Sequence, residues 1–156
     1  MGDEAMRPNG PEHPPTSPRG SAPVWLYDGY CIFCSRWVLF VLRREKAPLI
    51  RFVAFQSDEG RLLAERHGID PDDTDSFLFI DGGKALVKSD GVAAVCARLR
   101  RPWSFAAFMT VFPRSLRDWV YDRIARNRHL LAGKRDFCMA PPPEWRARVV
   151  APESRP

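Results

Sequence analysis

The chain has 156 residues, 45% of them hydrophobic and 28% charged, a globular balance with enough length for one buried core. Its formal charge is +5, but the arginines of the C-terminal third come with no nucleic-acid motif, so we read them as a solvated face and expect no nucleic-acid partner. Four cysteines in a chain this long do not make a disulfide-dense secreted scaffold, and no apolar run approaches the roughly 20 residues that cross a bilayer, so no membrane span is expected.

Residues 1–22 are rich in proline, glycine and polar side chains and show no apolar period. Such a segment cannot bury enough surface to offset its ordering entropy, and a disordered tail is predicted. It has no apolar centre of the kind a secretory signal needs, which points to a cytoplasmic protein. Val24 to Tyr27 reads as a short buried strand, ended by Gly29. A helix follows from about Cys31 to Lys46, stopped by Pro48. Leu49 to Phe55 reads as a second buried strand. Ser57 caps the next helix, Asp58 and Glu59 suit its first turn, and Gly68 ends it.

"SFLFIDGGKALV" places two apolar runs around Gly82 and Gly83, a hairpin signal. Ser89 is expected to cap another helix, on which Val92, Val95, Cys96 and Leu99 share one face. The crossover through a helix favours a parallel first pair of strands, and the hairpin adds an antiparallel pair. The predicted class is α/β, a mixed sheet with flanking helices. Beyond Pro102, "WSFAAFMTVF" is an apolar helix or turn. Pro113 suits the first turn of a further helix, on which Leu116, Trp119, Val120 and Ile124 share a face. The stretch with Gly133 and Pro141 to Pro143 reads as irregular chain packed over the rest. Trp25, Trp37, Trp103 and Trp119 read as core residues.

Cys31 and Cys34 form a C-x-x-C at the predicted strand-to-helix turn. Unpaired N–H groups at a helix start favour a thiolate, so the first cysteine of such a pair has a depressed pKa. Cys31 is then the exposed nucleophile at the helix tip. Cys34, one turn in, resolves the mixed disulfide. Asp28, three residues before Cys31, is either a turn and cap residue or the base that takes the Cys34 proton; we favour the base. A zinc-stabilised binding module is the alternative, with His129 and Cys138 as further ligands, but a closed zinc site wants four ligands and there is one close pair. A structural disulfide across so short a loop would stabilise little. Pairing of Arg128 or Arg123 with Asp118 or Asp122 is expected to be local.

"YDGYCIFC" resembles the D-x-x-C-x-x-C signature of the DCC family of thiol–disulfide oxidoreductases, through Asp28, Cys31 and Cys34. The likeness continues through "RFVAFQSDEGRLLAERHGI", "SDGV" and "LRDWVYDRIARNRHLLAGKRDFCMAPPP". It implies a thioredoxin-like domain over residues 23–150, with a helical extension from about residue 103. It further implies a dithiol enzyme that needs no bound cofactor and exchanges electrons between an external donor and a disulfide-containing protein or small-molecule thiol. A thioredoxin-like interaction domain without catalysis is the other form this resemblance allows. One departure is that Asp75 or Ser76 stands where thioredoxins carry a cis-proline. Cys138, in "RDFC", is either a packed thiol or a disulfide shuttle.

Overall fold

The computed structural model describes residues 22–72, 77–133 and 141–152. Nearly all of the predicted tail, the Asp75–Ser76 position and Cys138 lie outside the described residues. Five strands form one mixed sheet in the order β4-β3-β1-β2-β5. These are β1 (Val24–Tyr27), β2 (Arg51–Ala54), β3 (Leu78–Asp81), β4 (Lys84–Val87) and β5 (Val149–Val150). The helices are α1 (Ile32–Arg44), α2 (Asp58–Arg66), α3 (Lys88–Ala97) and α4 (Arg114–Ala132), with 3-10 turns at Trp103–Val111 and Pro143–Trp145. The α/β class, with a mixed sheet and flanking helices, is the one expected.

β1 and β2 pair in parallel across the α1 crossover, with Trp25 beside Phe52. β3 returns antiparallel to β1, and β4 closes a hairpin on it. The hairpin turns on Gly82 and Gly83, whose φ values of +54° and +81° are the left-handed pair a two-residue turn requires. Alternate strand residues point to opposite faces. On one face Trp25, Tyr27, Phe52 and Phe79 meet Val38, Val41 and Leu42 of α1 and Val95 of α3. On the other, Leu26 and Leu78 meet Phe55 and Ala64, with Leu63 of α2 against them. Ser57 is the N-cap of α2: its hydroxyl accepts from the Gly60 N–H at 3.1 Å.

Four expectations change. The C-terminal stretch is not wholly irregular, because Val149 and Val150 add a parallel strand beside Phe52 and Val53. Two residues are too short a signal to read from sequence. Ser89 is not a cap: the N-cap of α3 is Val87, two residues earlier, and the buried Ser89 hydroxyl bonds the Asp118 carboxylate of α4. Trp37, Trp103 and Trp119 are 36%, 44% and 62% exposed and do not belong to the core. Asp118 and Asp122 pair with Arg114 and Lys88, not with Arg123 or Arg128.

Candidate redox site

β1 ends at Tyr27, and the chain turns through Asp28, Gly29 and Tyr30 into α1. The turn closes with the Cys31 N–H on the Asp28 carbonyl at 3.3 Å. The Asp28 side chain holds it from below. Oδ1 accepts from the Tyr30 N–H at 3.0 Å and from Nε2 of Gln56 at 2.8 Å. Oε1 of Gln56 in turn accepts the Gly29 N–H at 3.0 Å. Gly29 has no room for a side chain, since a Cβ there would sit 2.6 Å from Cγ of Pro152. Gln56 is thus a site residue that the sequence reading missed. It lies just past β2, and the parallel register of β1 and β2 carries it to the turn.

Cys31 is the N-cap of α1, with extended backbone, and its Sγ accepts the Cys34 N–H at 3.4 Å. The thiol occupies the place a serine or aspartate oxygen usually takes at a helix start. Hydrogen bonding from Cys34 lowers the Cys31 pKa to about 6, against the opposing effect of burial; the Arg128 cation adds to the lowering and Asp28 opposes it. Cys34 is pushed strongly upward, first because its proton is held by Cys31 and then by burial. The two shifts run in opposite directions, and both favour the thiolate on Cys31. The expected exposure is not found: Cys31 has 0% of its surface open, whereas Cys34 is half-buried. Cys96 is a core thiol raised by burial.

Arg128 is the residue that local reasoning mispaired. It lies far along the chain in α4 and is 5% exposed. Its Nη2 is 3.6 Å from Oδ2 of Asp28, and its Nη1 is 3.9 Å from Sγ of Cys34. A buried guanidinium needs a carboxylate, and Asp28 supplies it. α4 reaches this position by packing on both α1 and α3. Two turns earlier on α4, the Tyr121 hydroxyl accepts the Phe77 N–H at 2.9 Å, and burial raises its pKa to about 12. The sequence signal for Arg128 was its place on a helix face shared with Tyr121, Ile124 and Ala125, where a cation is costly unless a partner meets it.

Cys34 and Arg128 stand on the wall of a cavity of about 220 Å³ between the sheet and α1, α3 and α4. Tyr27 and Phe33 also line it. Among the described residues no three His, Cys, Asp or Glu side chains come together to hold a metal. The further ligands of the zinc alternative, the His129 side chain and Cys138, lie outside the described parts.

The family model for DCC1-like thiol-disulfide oxidoreductases matches residues 25–134. The chain is 38% identical over 127 residues to the uncharacterized protein YuxK of Bacillus subtilis (strain 168), covering 81% of this chain and 93% of that one. It is 34% identical over 117 residues to a DCC family protein of Arabidopsis thaliana named as chloroplastic, covering 74% of this chain and 68% of that one. No solved structure matches. The chain belongs to the DCC1-like thiol-disulfide oxidoreductase family.

Proposed function

We propose that this DCC1-like chain is a dithiol oxidoreductase of the protein-disulfide reductase type, working through Cys31 and Cys34. The Cys31 thiolate attacks a substrate disulfide R–S–S–R′. A bond forms from Sγ to the sulfur of R, the substrate S–S bond breaks, and R′S⁻ leaves and takes a proton from solvent. Cys34 then loses its proton and attacks Sγ of Cys31. RS⁻ leaves, and the Cys31–Cys34 disulfide remains. Two electrons have passed from the dithiol to the substrate, and an external thiol donor restores it.

The observation that carries this reading is the Cys31 sulfur at the α1 N-cap, accepting the Cys34 N–H at 3.4 Å. That bond and the nearby Arg128 favour the thiolate, which is the attacking species. Stabilising it also makes the dithiol form relatively stable and raises the reduction potential. A nucleophile near pKa 6 belongs between the proteins with values of about 7 and about 3.5, whose potentials are roughly −270 and −120 mV. In the same reading Asp28 takes the Cys34 proton, no cofactor is needed, and the protein works in the reducing cytoplasm. The strand order β4-β3-β1-β2, with C-x-x-C following β1, supports a thioredoxin-like domain over residues 23–150. No helix among the described residues is long and apolar enough to cross a membrane.

Trapping tests the assignment. Cys34→Ser should accumulate a mixed disulfide on Cys31 when mixed with a model disulfide, and Cys31→Ser should not. Equal trapping by both variants removes the assignment of Cys31 as nucleophile. Redox titration of the native dithiol checks the potential.

A further inference from the structure

The cavity beside Cys34 is lined by groups of two kinds. Asp28, Cys34 and Arg128 gather at the redox end. Away from it the wall is largely apolar, with Trp25, Phe77, Val92, Val95, Met109 and Ile124 contributing. The rim is apolar too and open: Trp37, Val120 and Ile124 line the cavity yet remain 36%, 44% and 46% exposed. Core side chains do not stay so exposed without reason, and an apolar recess rimmed by exposed aromatic and branched residues is the usual form of a ligand site.

Its size narrows the occupant. An apolar cavity of about 150 Å³ takes up benzene. At about 220 Å³, this one has room for one aromatic ring or branched aliphatic group, with its linker to sulfur. The charged groups at the redox end are already engaged. Oδ1 of Asp28 accepts from Tyr30 and Gln56, and Oδ2 faces Arg128. At the other end, Arg117 bonds Asp90, Ser89 and the Phe112 carbonyl. A charged substituent entering the cavity would have to break these pairs and lose its own hydration, whereas an apolar one only sheds water.

We propose that the cavity is the specificity pocket of the dithiol and selects disulfides bearing an aromatic or branched aliphatic group next to the reacting sulfur. The proposal rests on the redox reading above. Seating that group between α3 and α4 brings the attached sulfur to the Cys34 side of the cavity, and the Cys34 N–H is 3.4 Å from the Cys31 sulfur. The chemistry is the exchange already written, with R the apolar side. The part seated in the pocket stays bound through the mixed disulfide until Cys34 displaces it.

The test pairs benzyl 2-hydroxyethyl disulfide with bis(2-hydroxyethyl) disulfide, in which a hydroxymethyl group stands in place of the phenyl ring. The benzyl compound should react with about 30-fold higher kcat/KM, the order expected from burying one phenyl group. Ala125→Phe, which fills the cavity from α4, should cut that advantage below about threefold. Val92→Phe fills it from α3 and serves if the first variant does not fold. Calorimetry with benzyl methyl sulfide, which cannot exchange, gives a second readout. It should bind the native protein saturably and fail to bind the filled variants. Binding of the sulfide without turnover of either disulfide would retain the pocket and overturn the redox reading. Equal turnover of both disulfides, with no binding of the sulfide, would overturn the pocket and retain the redox reading.

Discussion

The two ends of α1 are built alike and do different things. At its start, the buried Asp28 carboxylate meets Arg128 of α4. At its end, the buried Glu45 carboxylate, on the C-cap residue, meets Arg148 just before β5. Each pair ties the C-terminal third of the chain to the sheet domain. At the Glu45 end, Arg148 also donates to the Ile50 carbonyl at 2.9 Å, and the Ile50 N–H reaches Glu45 at 3.5 Å. There the carboxylate, the guanidinium and the Ile50 backbone groups satisfy one another. At the Asp28 end, the guanidinium faces a sulfur at 3.9 Å and stands on an open cavity. The same ion pair is a clamp at one end and part of a charge environment at the other.

The largest effect should come from breaking the clamp. Glu45→Ala leaves the Arg148 guanidinium and the Ile50 N–H without their carboxylate. Loss of one partner of a buried pair costs about 3–5 kcal/mol. Urea denaturation should show a loss of that order, while the pH of half-maximal alkylation of Cys31 stays near 6. A shift in that midpoint would mean the two ends are not independent.

Arg128→Met sharpens the contrast from the other side. Met fills much of the volume but leaves Asp28 without its cation, and a stability loss of about 2–3 kcal/mol is expected. Here the alkylation midpoint should also rise, because Arg128 favours the Cys31 thiolate. Arg128→Lys should retain much of the low midpoint. Stability loss with an unmoved midpoint would make Arg128 a second clamp and nothing more.

These pairs also mark what the sequence could reveal. Elements set by local chemistry were legible: the Ser57 cap, the Gly82–Gly83 turn, the strands of buried residues and the C-x-x-C at the start of α1. Each is decided within a few residues. Arg128 was not, because its partner lies 100 positions away in the sequence and nearer acidic residues offered themselves. The failed expectation of an exposed Cys31 has the same origin. A helix tip is open when the helix is considered alone, and it is tertiary packing that closes it. Ser89 failed through competition: its hydroxyl looked like a cap, but Asp118 of α4 is the better acceptor once α3 and α4 pack.

The thiols should also make stability depend on pH. Cys31 has a native pKa of about 6, below its unfolded value. A depressed group contributes stability that is fully present above the unfolded pKa and is lost as pH falls toward the folded one. The reduced protein should therefore gain stability from about pH 6 to about pH 8.5. Cys34 acts with the opposite sign, since its native pKa is raised. Above about pH 8.5 the unfolded chain releases that proton and the native one holds it, so the gain should level and reverse. Denaturation of the reduced protein across pH 5–10 measures both limbs, and Cys31→Ser should remove the rise.

Asp28→Asn separates the two roles of that residue. Asparagine keeps the shape. Its carbonyl oxygen can still accept from the Tyr30 N–H and from Gln56, so the turn should survive, while the buried Arg128 guanidinium loses its carboxylate at a cost of about 3–5 kcal/mol. What disappears is the negative charge, which raises the pKa of both cysteines. If Asp28 only holds the turn and pairs with Arg128, its removal makes both thiolates easier to form. Cys34 then attacks the mixed disulfide at an unchanged or faster rate. If Asp28 takes the Cys34 proton, the opposite follows. Cys34 must ionise unaided against burial, and resolution near pH 7 should slow by about tenfold or more. The deficit should shrink as pH rises, because hydroxide takes over the proton. Single-turnover release of thiol from a preformed Cys31 mixed disulfide, followed from pH 6 to 10, reads the sign directly. A normal or faster rate throughout leaves Asp28 as the anchor of Arg128 and ends the proton-transfer assignment.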